Sequence, residues 1–249
     1  MKSILGRLKR RRRQIESFAD QAVVVNPHCR ELEVNNWVLS EFIIHKLVPV
    51  VGIHPYPINE QCLMVAAVCA LKPALIFEWG TNLGKSARIF YETARQFKVN
   101  TQIYSIDLPD DVEHIEHPGE KRGMYVRDLE GVHLLQGDGL ETSLNFYRQQ
   151  MAGLSPQNRH AAEAPLFFID GDHGYESVKR ELEGIIDAVP DANILLHDTF
   201  FQSPDSHYNI GPYQAVQDVL QTAPSYRILR QELGLPGMTL LYGKRGESR

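Results

Sequence analysis

Acidic residues recur in this sequence where chemistry could use them. Glu78, Asp107, Asp138, Asp170 and Asp198 each follow or close a short apolar run, in ALIFEWG, QIYSIDLP, VHLLQGD, PLFFIDGDH and ANILLHDTF. A single acid after a strand is usually a turn former. Five of them delivered to one edge of a sheet make a set of hard oxygen donors and hydrogen-bond acceptors. Two histidines accompany the last two acids: His173 lies three residues beyond Asp170, and His197 directly precedes Asp198. An imidazole near its normal pKa accepts a hydroxyl proton at neutral pH, which makes His173 the candidate base, with Asp170 beside it. Asp170 and Asp198 suit Mg²⁺ or Mn²⁺ with waters and substrate oxygens completing the shell. His197 is a further candidate ligand, although imidazole favours a softer metal than Mg²⁺. Structural readings stand beside these: an Asp-Gly-Asp-His turn commonly starts a helix, His197 can close a strand, and Asp172 suits a turn or cap.

The segment FEWGTNLGKSARIF, residues 77–90, passes from an apolar run through a turn with two glycines four apart into an amphipathic segment. A dinucleotide fingerprint starting at Gly80 needs glycine at positions 82 and 85, where this chain has Asn82 and Lys85. Asn82 would obstruct the approach of backbone to a pyrophosphate, which disfavours nicotinamide and flavin dinucleotides. A smaller ligand suits the turn better. Helix N-terminal amides at Gly84 to Ser86 can receive a carboxylate, and Asp107 is placed to accept from both hydroxyls of a ribose.

These residues need a scaffold that brings strand ends together. The five apolar runs alternate with helical patterns near 84–97, 140–150 and 174–188, which predicts a parallel, doubly wound α/β sheet. YRILRQEL and MTLLYGK then predict an antiparallel edge, for seven strands in all. Ahead of them, residues 14–48 carry apolar positions at helical spacing (Trp37, Leu39, Phe42, Ile43 and Leu47), and EQCLMVAAVCALKP reads as a helix ended by Lys72 and Pro73. The expected division is a basic tail and helical extension over 1–58, a ligand-binding domain over 59–243 and a short tail over 244–249. In such a sheet, ligands sit beyond the carboxyl ends of the strands at the switch point. Two long segments, PDDVEHIEHPGEKRGMY and FFQSPDSHYNIGPY, hang over that edge, and Phe200, Phe201, Tyr208 and Tyr213 could clamp an acceptor ring.

The pattern Glu78-x-Gly80-x-x-x-Gly84-x-Ser86 resembles the first motif of class I S-adenosylmethionine-dependent methyltransferases, especially the catechol and caffeoyl-coenzyme-A type O-methyltransferases. FFIDGDHGYESVKRELE followed by ILLHDTF is similar to a bacterial branch that includes macrocin-type sugar O-methyltransferases and cephalosporin hydroxylase-like proteins. The resemblance spans roughly residues 59–243. It implies a Rossmann-like fold and an O-methyltransferase acting on a hydroxylated small molecule, sugar or polyketide-type. It further implies that Gly80, Thr81, Gly84 and Ser86 line the methionine portion of the cofactor, that Asp107 holds the ribose, and that Gly137, Asp138 and Gly139 lie near the adenine. Glu78, Asn82, Leu108 and Asp170 complete the implied cofactor set. One departure is plain: the relatives often follow the second metal aspartate with Asn or another acid, whereas here Thr199 follows Asp198 and His197 precedes it. Other readings are a hydroxylase-like or non-catalytic cofactor-binding member of the superfamily, and an RNA methyltransferase. The last lacks an N-P-P-Y type motif.

Composition agrees with a globular enzyme. The chain has 249 residues, 43% hydrophobic and 23% charged, enough for one substantial core. No long apolar span and no secretory signal is read, so a cytoplasmic location is expected. Cys29, Cys62 and Cys69 have no metal spacing and read as reduced core thiols. The first thirteen residues carry seven Lys or Arg and no acid, so against a net charge of −5 the remainder is strongly acidic. That tail can serve an anionic membrane surface, nucleic acid, an acidic partner or another subunit of a homo-oligomer. The acidic body argues against a broad nucleic-acid footprint.

Overall fold

The structure, a computed structural model, describes residues 23–24, 31–114, 118–155, 162–223 and 225–243. The basic stretch 1–13 and Cys29 lie outside these residues, as does most of 14–30. Asn35 caps the first described helix, its side chain accepting from the amides of Trp37 and Val38. That helix, α1 (Asn36–Phe42), runs through a π turn at Ile43–Leu47 into a short α2 (Val48–Val51). Leu39, Phe42, Ile43 and Leu47 are buried as their spacing predicts, but Trp37 is 68% exposed and faces away from the core. It precedes Leu39 by two residues, about 200° around a helix, so the two cannot share a face.

Helix α3 (Ile58–Leu71) is buried on nearly every side, which explains its continuous apolar run. Cys69 is buried in it and Cys62 is half-buried, both free thiols. Lys72 in the left-handed conformation ends the helix, its amide reaching the carbonyl of Val68. Alternation then begins: β1 (Leu75–Trp79), α4 (Lys85–Phe97), β2 (Gln102–Asp107), β3 (Val132–Gln136), α5 (Gly139–Gly153), β4 (Leu166–Ile169), α6 (Tyr175–Ala188), β5 (Asn193–His197), α7 (Gly211–Thr222), β6 (Arg227–Gln231) and β7 (Met238–Tyr242).

The strands form one sheet in the order β3-β2-β1-β4-β5-β7-β6. β1 to β5 are parallel, and β7 runs antiparallel between β5 and β6. This seven-stranded, Rossmann-like sheet matches the expected fold class. Both faces are covered: Ile76, Phe168 and Leu195 pack with Leu39, Met64 and Phe90 on one side, while Phe77, Phe167 and Leu196 pack with Leu140, Leu182 and Val216 on the other. Successive strand residues therefore enter different cores, and the strands read as unbroken apolar runs. Helix α1 contributes Leu39 and Phe42 to the first core. Helix α7 starts at Gly211-Pro212, where the sequence had been read as lid loop through Tyr213; proline in the first helical turn is a start signal. No helix among the described residues is long and apolar enough to cross a membrane.

Candidate active site

One cavity of ≈ 1230 Å³ lies beyond the carboxyl ends of the parallel strands. Its wall includes Gly80, Thr81, Asn82, Ser86, Asp107, Leu108, Gly137, Asp138, Gly139, Asp170, His173, His197 and Asp198. Two expected site residues lie off that wall. Glu78 is fully buried beneath the turn, where its Oε1 accepts from the Ser105 hydroxyl at 2.6 Å, and Ser105 in turn meets Thr81 at 2.7 Å. It supports the turn from below. Gly84 is needed for packing: a Cβ there would lie 2.8 Å from Val126 Cγ2 and 3.1 Å from Gly123 Cα, and its φ is +85°.

Gly80 has a different constraint. A Cβ on it would stand 2.0 Å from the carbonyl oxygen of Asp170, so glycine is what lets the ends of β1 and β4 approach. Asp107 holds the turn on its other side, accepting from the amides of Asn82 at 2.9 Å and Leu108 at 2.8 Å. Arg122 reaches from the segment after β2 to within 3.6 Å of Asp107, and donates to Asp110 and the Leu108 carbonyl. Asp138 caps α5 through the Glu141 amide and pairs with Arg180 at 2.8 Å, so its side chain is already engaged at this end of the cavity.

The far end of the cavity carries the titratable groups. Asp170 Oδ1 lies 2.9 Å from His197 Nδ1 and 3.6 Å from His173 Nε2, while the Tyr56 hydroxyl donates to Asp170 Oδ2. Asp198 Oδ2 lies 3.2 Å from His173 Nε2 and 3.4 Å from His197 Nδ1, and Tyr208 donates to its Oδ1 at 3.1 Å. Asp198 has φ +55°, a conformation rare outside glycine that aims its carboxylate back at β4. His197 Nε2 meets Glu60 Oε2 at 3.0 Å, with Glu60 fully buried.

Burial alone would push Asp170 up, but the His197 charge and hydrogen bonds from His173, His197 and Tyr56 outweigh it and hold the carboxyl well below its usual range. Asp198 is likewise lowered, burial being overcome by the hydrogen bond and charge of His197 and by the charge of His173. Burial pulls His197 down, yet the charge and bond of Asp170 and the bonds to Asp198 and Glu60 carry it well above an ordinary imidazole. His173 is raised as well, chiefly by its interaction with Asp170. In the metal-free protein the two carboxylates therefore favour its charged form.

Asp170, His197 and Asp198 each offer a ligand atom, all within 4.8 Å of one another. Two carboxylates and one imidazole suit a divalent cation. The ring orientation fits too: Nε2 faces Glu60 and Nδ1 faces both aspartates, so a cation would displace the Nδ1 proton and leave the Nε2 bond intact. Asp172 is a turn residue, accepting from the Gly174 amide at 2.9 Å. Of the lid aromatics, Phe201 packs on Tyr213 with ring centroids 4.8 Å apart, while Tyr208 bonds Asp198. The sequence reading did not single out Glu60 or Tyr56. An acid within the apolar helix INEQCLMVAAVCAL was the available signal for Glu60; Tyr56 sits in a proline-rich break that gave none.

Comparison with known proteins follows this geometry. Residues 77–199 match a family model described as a methyltransferase domain. No curated protein matches the chain in sequence. Among solved structures, the O-methyltransferase from Bacillus cereus in complex with SAH is 16% identical, covering 83% of this chain and 90% of its own, with TM-score 0.51. Cofactor-bound Rv0187 from MTB is 14% identical over 79% and 84%, with TM-score 0.52. CalS11, a calicheamicin methyltransferase, is 18% identical over 82% and 85%, with TM-score 0.50. These likenesses are ones of fold. The methyltransferase-domain match thus extends from β1 to the end of β5, just under half of the chain, and it contains every strand end that lines the cavity.

Proposed function

We propose that this protein is an S-adenosylmethionine-dependent O-methyltransferase that acts on a hydroxyl of a small molecule, sugar or polyketide-type, with assistance from a divalent metal. One observation carries the reading: a single cavity joins Asp107 at the end of β2 to the Asp170, His173 and Asp198 cluster at the ends of β4 and β5. When bound, S-adenosylmethionine supplies an electrophilic methyl group, and the cation a Lewis acid that favours the acceptor oxygen as its anion.

The chain's own residues have distinct tasks in this reading. Asp107 accepts from the ribose, and the amides that open α4 receive the carboxylate of the amino-acid portion. The glycines at 80, 137 and 139 keep the floor of the crevice low. Asp170, Asp198 and His197 hold the cation. His173, on the exposed side of the cluster, takes the acceptor proton once it is in its neutral form. Aligning two reactants in one cavity supplies several kcal/mol of the barrier, on the order of 7 or more in the best cases.

Calorimetry with S-adenosylhomocysteine tests the cofactor, and methyl transfer to a panel of hydroxylated metabolites tests the reaction. Treatment with chelator should abolish transfer while cofactor binding survives, with Mn²⁺ or Mg²⁺ restoring the rate. Transfer that persists undiminished in chelator would remove the metal from the mechanism and leave alignment and His173.

A further inference from the structure

Glu60 lies on α3, before the segment that matches the methyltransferase family, and is completely buried. Its two oxygens are assigned to different partners. Oε1 accepts from the backbone amide of Gly237 at 2.8 Å, just ahead of β7. Oε2 lies 3.0 Å from Nε2 of His197, which is itself only 4% exposed. A carboxylate only accepts, so the ring carries a proton on Nε2; without metal the same rule puts one on Nδ1 as well, opposite Asp170, and that is the proton a cation would displace. Nδ1 is then the nitrogen that faces Asp170 Oδ1 at 2.9 Å and Asp198 Oδ2 at 3.4 Å.

We propose that Glu60 is the outer carboxylate of a metal centre formed by Asp170, His197 and Asp198, fixing the tautomer and ring plane that present His197 Nδ1 to the ion. The inference rests on the metal-assisted reading above and extends it to a residue outside the matched domain. Ligating histidines are commonly oriented this way, by a carboxylate or carbonyl on the nitrogen that does not touch the metal.

The arrangement makes the isosteric substitution informative. In Glu60→Gln one oxygen becomes an NH₂ group, which must face either Gly237 N–H or His197. Facing Gly237 it sets donor against donor. Facing His197 it demands a lone pair on Nε2 and drives the proton to Nδ1, where it blocks ligation. Neither orientation keeps both native bonds. Glu60→Ala leaves the tautomer unassigned.

The test is Mn²⁺ binding to the full-length protein, read by electron paramagnetic resonance of the free ion and by calorimetry, with a thermal melt for each variant. Wild type should bind one Mn²⁺, and both Glu60 variants should bind it about 10- to 100-fold more weakly, the range typical of losing such a partner. A ¹H–¹⁵N spectrum of the imidazoles, recorded without metal, should show a slowly exchanging His197 Nε2 proton in wild type that is lost in Glu60→Ala. Unchanged Mn²⁺ affinity in folded Glu60→Gln and Glu60→Ala would overturn the role of Glu60 while leaving the metal centre standing. Wild-type protein that shows the Nε2 proton but binds no Mn²⁺ would instead overturn the metal centre itself, and the outer-shell role with it.

Discussion

Glu78 offers a measurement that does not depend on knowing the acceptor. Its carboxyl is fully buried under the turn, and burial pushes its pKa from 4.5 up to about 7, with Ser105 and Ser86 pulling partly back and the charges of Asp170 and Asp107 adding to the rise. Below pH 4.5 the group is protonated in both folded and unfolded chains and contributes no pH dependence. Between pH 4.5 and 7 the unfolded chain has released the proton and the folded one retains it, so stability falls as pH rises; above 7 the penalty is constant. Integrating this linkage from pH 5 to pH 8 gives a loss of about 2.5 kcal/mol. Glu78→Gln removes the titration while keeping the side-chain volume and an acceptor for Ser105. The stability difference between Gln and Glu should therefore move by about 2.5 kcal/mol in favour of Gln from pH 5 to pH 8, roughly 5–10 °C in melting temperature for a chain of this size. The slope with pH is the quantity to read, because an unpaired buried amide adds its own pH-independent cost of about 1–3 kcal/mol. Paired thermal melts at pH 5, 6, 7 and 8 suffice. Parallel curves for the two proteins would refute the raised carboxyl and the reasoning from burial behind it.

Further outcomes follow from individual contacts. Gly80→Ala places a Cβ against the Asp170 carbonyl at a positive φ, so it should lower the melting temperature and abolish S-adenosylhomocysteine binding; wild-type affinity by calorimetry would contradict the close approach. Asp107→Ala should weaken that ligand by about 1.5–3 kcal/mol, the worth of charge-assisted bonds to a ribose. His173→Ala should lower turnover roughly 10²- to 10⁴-fold with little change in cofactor affinity. For wild type, the rate should fall on the acid side as His173 takes up its proton, since only the neutral ring accepts one, and that limb should vanish in His173→Ala.

The sheet was legible because each parallel strand is buried on both faces and stands out as an apolar run bounded by Gly, Asp or Pro. Its order was less so. YRILRQEL and MTLLYGK together read as an antiparallel edge, and nothing local says that the later of the two lies inside, between β5 and β6. The cavity-facing ends of β2 to β5 were visible as acids after apolar runs, but Glu78 belongs to the same pattern and faces inward, because strand residues alternate sides and the sequence does not say which side holds the ligand. Gly84 fits a ligand-binding motif yet is fixed by Val126 and Gly123, forty residues along the chain. His197 could be named as a candidate; its partner Glu60, 137 residues earlier, is a fact of tertiary packing.

The reversed strand β7 also governs the order in which this site can assemble. Until Met238–Tyr242 pair with β5 and carry β6 on their other side, β5 is a sheet edge, His197 lacks its ladder partner Met238, and Glu60 has no Gly237 amide to bind. The Glu60–Gly237 contact spans 177 residues and carries the loop-closure cost that makes such contacts late in folding. The corner holding His197 and Asp198 should therefore be the last part of the site to form, and the first to open when the C-terminal hairpin detaches. The end of the cavity lined by Asp107 and Gly137 is built on β1, β2 and β3, none of which pairs with that hairpin. A partly unfolded molecule of this kind would keep that end of the cavity while losing the corner that carries His197 and Asp198.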